Sequence, residues 1–405
     1  RTGPAHPLSP RAVIFLRSAT GQRILDNVGE QRATGLSSLQ IQQHTTDVET
    51  GHLRAALYVW DQRERARSKF GDFAPQLFGD SDGFEMASSL AVARHRATRF
   101  GHLLVVDLCC GIGGDLMALA ERGPCVGVDV DLARLHMARA NVESMPFPAH
   151  LVAADATYGP VSGNAAVVDP ARRQGSRRVR SGADYEPSLQ LIESWQEQFS
   201  LLAVKVSPAL DLDQLPSRQE VEYVSWRGQC REAVLWFNRE SDGIRRRATR
   251  IIEDGQVARS VSLTSASDDI QRPPLQPIGA VLYDPDPALV RSHLIGELAM
   301  QLGAWLIAEE VAYLSSDQIT ATPWARCFRV LEQVPFQLTR LQRVLRSNGW
   351  RPGSIRRRHF PIEPEVLRKQ LGRFESDASA VELVCTRIKG KRTIFICAPV
   401  MESAR

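Results

Sequence analysis

Val105-Val106-Asp107-Leu108-Cys109-Cys110-Gly111-Ile112-Gly113-Gly114-Asp115 is the stretch that decides the fold. Its opening reads as a buried strand that breaks into a glycine turn, after which Leu116, Leu119 and Ala120 open a helix. Glycine has no Cβ, so such a turn lets a ligand approach the backbone closely. The N–H groups at the start of the helix then face an electron-rich ligand. A second strand, Val126-Gly127-Val128-Asp129-Val130-Asp131, follows at once and ends in acids. In nucleotide-binding α/β folds an acid about 20 residues past the glycines takes the ribose hydroxyls, and Asp129 stands at that distance from Gly111.

Two further stations follow in order. Asp155 ends a third hydrophobic run, Val152-Ala153-Ala154-Asp155-Ala156, and Asp169-Pro170-Ala171-Arg172 ends a fourth. Taken alone, acidic strand ends also serve as helix caps in an ordinary Rossmann-like fold. The glycines lack the GxGxxG spacing of dinucleotide enzymes. The whole set resembles class I S-adenosylmethionine (SAM) methyltransferases, in which an acid at the end of the first strand precedes GxGG. That resemblance implies an α/β fold with a Rossmann-like class I methyltransferase sheet and SAM as cofactor. It places Asp107, Cys109, Gly111, Gly113, Gly114, Asp115, Asp129 and Asp155 around the cofactor, with Asp155 on the adenine amino group.

Composition bounds the classes. The 405 residues suffice for two or three domains, since a domain commonly takes about 100–200. Hydrophobic residues make up 43% and charged residues 24%, as in a globular chain. The net charge of +4 permits a nucleic-acid partner without demanding one. Nearly all cations are arginine; the lysines are Lys69, Lys205, Lys369, Lys389 and Lys391. The seven cysteines form no CxxC pair, so neither a zinc site nor a disulfide framework is expected. No apolar run reaches the ~18 residues of a membrane span. The chain begins Arg1-Thr2-Gly3-Pro4, without methionine or a signal-peptide pattern, and the cytoplasm is the expected compartment.

The chain divides, by this reading, into a mainly helical region 1–82, a SAM-binding domain 83–240, a linker and helical segment 241–325, and a small α/β module 326–405. In the first region Leu53, Leu57 and Trp60 share one helical face. Arg63, Arg65, Arg67 and Lys69 then form either a solvated or a phosphate-facing stretch. One helix over roughly Glu85–Arg99 is expected to lead into the first strand, with Glu85, Ser88 and His95 as pocket candidates. Leu189, Ile192, Trp195 and Phe199 stripe a helix 188–200, and Lys205, at the end of an apolar strand, must reach the cleft or pair with an acid. Val221–Trp226 and Glu232–Phe237 form a hairpin, and 238–275 reads as linker or peripheral strands. Asp286-Pro287 starts a helix whose stripe is Leu294, Leu298, Leu302 and Trp305.

The last 80 residues read as βαβαββ, with Arg351, Arg356, Arg357, Arg358, Lys389 and Lys391 making this the most basic region. The tail resembles the THUMP-like domain of a family of bacterial class I methyltransferases, and the resemblance runs from about residue 53 to the end. The core also resembles the trimethylguanosine synthase group of RNA guanine-N2 methyltransferases. The implied partner is RNA (rRNA or tRNA), with no DNA and no membrane expected. The other reading of the basic tail is a scaffold with solvated arginines.

At Asp169-Pro170 the family carries [D/N/S]-P-P-[Y/F/W]. The implied chemistry is methylation of a base nitrogen. A carboxylate and the Pro170 carbonyl accept the amine's hydrogens and aim its lone pair, and charged hydrogen bonds are about twice as strong as neutral ones. The stacking aromatic is replaced by Arg172, which can stack on a base or bind phosphate. Arg173, Arg177, Arg178 and Arg180 follow, and Tyr185 is a candidate aromatic platform. The string also resembles DPPR of uracil-C5 methyltransferases, but Lys205-Val206-Ser207-Pro208 lacks their nucleophilic cysteine. A protein or small-molecule methyltransferase on the same fold is the alternative.

Overall fold

The computed structural model describes residues 8–159, 161–172, 182–210, 219–238, 243–254 and 257–400. These fall into two compact units, one within Arg1–Val224, Glu232–Asp242 and Ile251–Ser260, the other within Ser225–Arg231, Gly243–Arg250 and Val261–Arg405.

The first unit opens with helices α1 (Pro10–Arg17), α2 (Ala19–Ala33), α3 (Ser38–His44) and α4 (Thr50–Phe70). Ser9, Ser18 and Ser37 cap the first three, and Ser37 forms a capping box with Gln40. The expected helix over Glu85–Arg99 is two: α5 (Ser81–Met86) and α6 (Leu90–Thr98). The reason is Lys69. Its ammonium takes the carbonyls of Phe84 (2.9 Å), Glu85 and Ala87 (3.0 Å), which caps the end of α5. Arg63 donates to the Leu77 carbonyl at 2.8 Å and lies over the Phe78 ring. Two members of the basic stretch on α4 are therefore structural.

The sheet follows from continuous apolar runs, as strands buried on both faces require. β1 (Val105–Leu108), α7 (Gly114–Ala120), β2 (Cys125–Asp129), α8 (Leu132–Val142), β3 (Ala149–Ala153) and β4 (Ala165–Val168) alternate as expected. A short pair, β5 (Ala171–Arg172) and β6 (Tyr185–Glu186), then leads through α9 (Leu189–Glu193) and a 3₁₀ turn to β7 (Leu201–Val206). The Leu189-Ile192-Trp195-Phe199 stripe is buried. β8 (Glu220–Trp226) and β9 (Gln229–Phe237) form the expected hairpin, and the polar stretch after it is strand: β10 (Arg246–Asp254) and β11 (Val257–Ser265). The sheet order is β11-β10-β8-β9-β7-β4-β1-β2-β3. β3, β2, β1, β4 and β7 are parallel, and β9 enters antiparallel beside β7. One apolar core joins the N-terminal helices to α7, α8 and the sheet, running from Leu16, Leu57 and Phe70 to Met117, Met137 and Val167.

The second unit carries β12 (Val281–Pro285), α10 (Pro287–Arg291), α11 (Ile295–Leu302), β13 (Trp305–Ala308) and β14 (Val311–Ser316). Asp286 caps α10 with Pro287 at its first position. The Leu294–Trp305 stripe is not one helix, because left-handed Gly303 ends α11 and Trp305 begins β13. β15 (Ala325–Pro335), α12 (Leu338–Ser347), β16 (Trp350–Arg357), α13 (Pro364–Leu371), β17 (Ser379–Ile388) and β18 (Lys391–Pro399) give the βαβαββ order read from the tail. They join a seven-stranded sheet, β13-β14-β12-β15-β18-β17-β16. Leu383 and Cys385 pack with Leu341, Leu345 and Leu367, while Val384 packs with Tyr313 and Phe328, the period-2 alternation of a sheet buried on both faces.

Buried Asn141 on α8 fastens the N-terminal region to the glycine turn. Its Oδ1 accepts from Phe78 N–H at 2.7 Å, and its Nδ2 donates to the carbonyls of Phe78 and Ile112, both at 2.8 Å. Asn141→Ala leaves these backbone groups buried without partners, and the expected loss is about 2–4 kcal/mol in urea unfolding.

Candidate active site

The carboxyl ends of β1, β2, β4 and β7 converge on the glycine turn. β1 stops because Cys109 (φ 66°), Gly111 (φ 54°) and Gly113 (φ 83°) turn left-handed. A Cβ on Gly113 would lie 3.2 Å from the Ala138 Cβ, so glycine also permits the close approach of α8. The Gly111 N–H donates to Asp129 Oδ2 at 2.8 Å, and Asp129 Oδ1 accepts from Asp131 N–H at 2.9 Å. The acid at the end of β2 is thereby fixed while its outer lone pairs stay available. Asp155 is exposed and accepts from the Thr157 N–H (2.8 Å) and hydroxyl (2.6 Å). Cys109 keeps its proton, because burial, Asp129 and Asp169 push its thiol well up.

Beneath the turn lies a chain of buried charges. Arg96, on α6, pairs with both Asp115 of α7 and Glu232 of β9, and donates to the Ser88 hydroxyl at 2.9 Å. Lys205 of β7 lies 3.2 Å from the other oxygen of Asp115 and bonds Asp169 Oδ2. Its placement meets the expectation that a strand lysine must pair. Burial opposes the charge on Asp115, but Arg96 and Lys205 prevail and hold its carboxyl down at about 2. Asp107 is the counterpart. Burial, with Asp115 beside it, raises its carboxyl well above the usual range, and its Oδ2 accepts no hydrogen bond from the described residues. Burial likewise raises Glu232, against the pull of Arg96. Asp169 differs from all of these in keeping 38% of its side chain exposed. Its N–H donates to the Leu108 carbonyl at 3.2 Å, which fixes it beside the end of β1.

The structure thus brings together Asp107, Cys109, Gly111, Gly113, Gly114, Asp115, Asp129, Asp169 and Pro170. Asp115 commits both oxygens to cations. Arg172 pairs with Tyr185 through the β5–β6 ladder, and Arg173, Arg177, Arg178 and Arg180 lie outside the described residues. Tyr185 is not an open platform. It is 3% exposed, and its hydroxyl accepts from Ser207 N–H at 2.7 Å, so it buttresses the strand end after β7. Among the pocket candidates, Ser88 joins the charge chain and Glu85 is exposed. His95 turns away to Glu222 at 2.8 Å. Arg96 and Glu232 were missed by the sequence reading. The usable signal was an arginine on an otherwise apolar helix face, beside Val92 and Ala93.

A second ionic seam is also buried. Arg99 pairs with Glu220 at 2.8 Å and with Glu222, lies over the Trp236 ring at 4.1 Å, and Trp236 Nε1 donates to Glu222 at 2.9 Å. In the second unit the four tail arginines singled out from the sequence are committed. Arg356 pairs with Glu382, Arg357 with Glu363 and Arg358 with Asp284, and Arg351 donates to the Ala378 carbonyl. Arg387, Lys389, Lys391 and Arg392 are exposed at the β17–β18 turn, as are Arg340, Arg343 and Arg346 on α12.

Residues 325–399 match the THUMP domain-like family. Two proteins of Mycobacterium tuberculosis strains CDC 1551 and H37Rv, each named an uncharacterized S-adenosylmethionine-dependent methyltransferase, are 36% identical to this chain over 354 residues. The match spans 83% of this chain and 94% of theirs. The crystal structure of a Porphyromonas gingivalis W83 protein assigned as a methyltransferase superposes with a TM-score of 0.74, covering 94% of this chain and 98% of that one. At 21% identity this likeness is one of fold.

The two buried acids give opposite pH signatures. Asp115, held at about 2, adds stability that is full above the usual carboxylate range and lost as pH falls toward 2; the expected contribution is about 2 kcal/mol, missing in Asp115→Asn. Asp107 is raised, so its ionisation costs stability once pH exceeds its unfolded value. Asp107→Asn is therefore expected to unfold at higher urea than wild type at neutral pH, and to lose that advantage in acid.

Proposed function

Because the chain belongs to the S-adenosylmethionine-dependent methyltransferases, we propose that it methylates a base nitrogen of RNA, in rRNA or tRNA, with Asp169 orienting the acceptor amine. The observation that carries this reading is the setting of Asp169, an acid tied to buried Lys205 yet 38% exposed at the carboxyl end of the sheet.

The residues present fit the cofactor. Asp107 Oδ2 is a buried acceptor without a donor among the described residues, suited to an ammonium. Among the described residues, no atom beyond its chain neighbours lies within 4 Å of where a Cβ on Gly111 would stand, so the outer side of the turn is open. Asp129, fixed by two backbone N–H groups, is suited to a ribose diol, and Asp155 to an exocyclic amine. Bound SAM supplies a methyl group already activated on a sulfonium. What remains for the chain is to position the nucleophile. An exocyclic amine has its lone pair drawn into the ring. Asp169 and the Pro170 carbonyl accept its hydrogens, restore density to nitrogen and aim it. Asp169 or solvent takes the proton once the new bond has formed.

RNA as the acceptor is supported by the THUMP domain-like match, since THUMP domains bind RNA, and by the exposed cations at the β17–β18 turn. A protein or small-molecule acceptor is favoured by one observation, the burial of Tyr185 where an open ring would stack a base.

With labelled SAM and under-modified total RNA, label is expected to be lost to RNase and kept through protease. Label that only protease releases overturns the RNA reading. Asp169→Ala is expected to lower transfer roughly hundredfold or more while SAM still binds; full turnover in that variant removes Asp169 from the mechanism. Asp107→Asn is expected to weaken SAM binding in calorimetry, despite its gain in stability.

A further inference from the structure

We propose that Lys205 is a positioning residue for methyl transfer, gripping one oxygen of Asp169 so that the other presents a fixed, charged acceptor to an N–H donor. The inference rests on the reading of Asp169 given above.

The geometry argues against a merely structural lysine. Lys205 shares Asp115 with Arg96, yet it also extends beyond Asp115 to Asp169. Lys205 is 8% exposed and reaches from the sheet interior to a carboxylate that is 38% exposed and could be solvated instead. One end of the bridge is thus rigid: Lys205 is held by Asp115, which is held by Arg96, which is held by Glu232. Such a chain fixes the carboxylate more tightly than the side-chain torsions of an isolated aspartate would.

The groups facing Asp169 set its charge. Lys205 comes from β7, Asp107 from β1, Asp115 from α7, Arg96 from α6, Glu232 from β9 and Cys109 from the glycine turn. Without Lys205, Asp169 would face Asp107, Asp115 and Glu232 with Arg96 as the remaining cation of this set. Lys205 itself sits between two carboxylates, which favour its charged form, so it is not a base here. Two kinds of acceptor are selected against: anionic groups, repelled by Asp169, and ring nitrogens without a hydrogen, which have nothing to donate. The group that fits is a neutral amine bearing hydrogens.

The test compares wild type, Lys205→Met, Lys205→Arg, Asp169→Asn and the Lys205→Met/Asp169→Asn double variant, on whichever acceptor wild type labels. Lys205→Met is expected to lower kcat roughly tenfold to hundredfold with SAM binding unchanged. Lys205→Arg is expected to recover part of kcat. The double variant is expected to be no worse than Asp169→Asn. An unchanged kcat in Lys205→Met, or additive losses in the double variant, overturns the inference. Should wild type label something other than RNA, the choice of acceptor fails, and the same comparison on that acceptor still decides the role of Lys205.

A readout without turnover covers a silent or unstable variant. The chain has five lysines, so ε-¹³C-lysine spectra contain five signals. The Lys205 signal is expected to titrate above the usual lysine range and to move down in Asp169→Asn. If its midpoint is the same in both proteins, Lys205 does not grip Asp169.

Discussion

Arg96 is the constraint on which the rest of the first unit turns. A guanidinium with only 2% of its side chain exposed must be neutralised, because an unpaired charge in that position costs several kcal/mol. Asp115 and Glu232 neutralise it from two different elements, a helix that begins at the glycine turn and a strand that runs antiparallel beside β7. Three pieces distant in sequence are thereby required to meet. The glycine turn is bound to the same point, since Asp115 lies in the first turn of the helix that follows it. So is the exposed end of the site, through Lys205 and Asp169. Such pairs stabilise less than an apolar core of the same volume, and their value lies in permitting one arrangement.

Much of this was legible. The strand that stops at Leu108, the turn, and the acids at 129, 155 and 169 announce themselves because glycine at positive φ and acids at strand ends leave local marks in sequence. The parallel strands were legible as unbroken apolar runs, and the tail as βαβαββ from its alternation. What could not be read were partnerships at long sequence separation. Arg96 and Glu232 are 136 residues apart, and nothing near either one names the other. Asn141 looked like any polar residue near the end of a helix, although it satisfies two segments far before it.

The same limit of local sequence applies to cations. A basic residue reads as charge, and several here are donors to carbonyls. Lys69 divides a helix that periodicity alone would have run through, and Arg63 and Arg351 close loops. Tyr185 was weighed as a ring and matters for its hydroxyl. In each case the polar end of an amphipathic side chain meets a backbone group from another segment. Such meetings arise only after the fold has formed.

The Arg99–Glu220–Glu222 seam carries a consequence for heat. The hydration of charged groups becomes less favourable as temperature rises, so the penalty for keeping these ions out of water shrinks on warming. Apolar burial gains little over the same range. The join between α6 and the β8–β9 hairpin therefore holds its share of the stability as the rest of the core weakens. Warming loosens apolar packing elsewhere in the first unit before it frees the helix that carries Arg96.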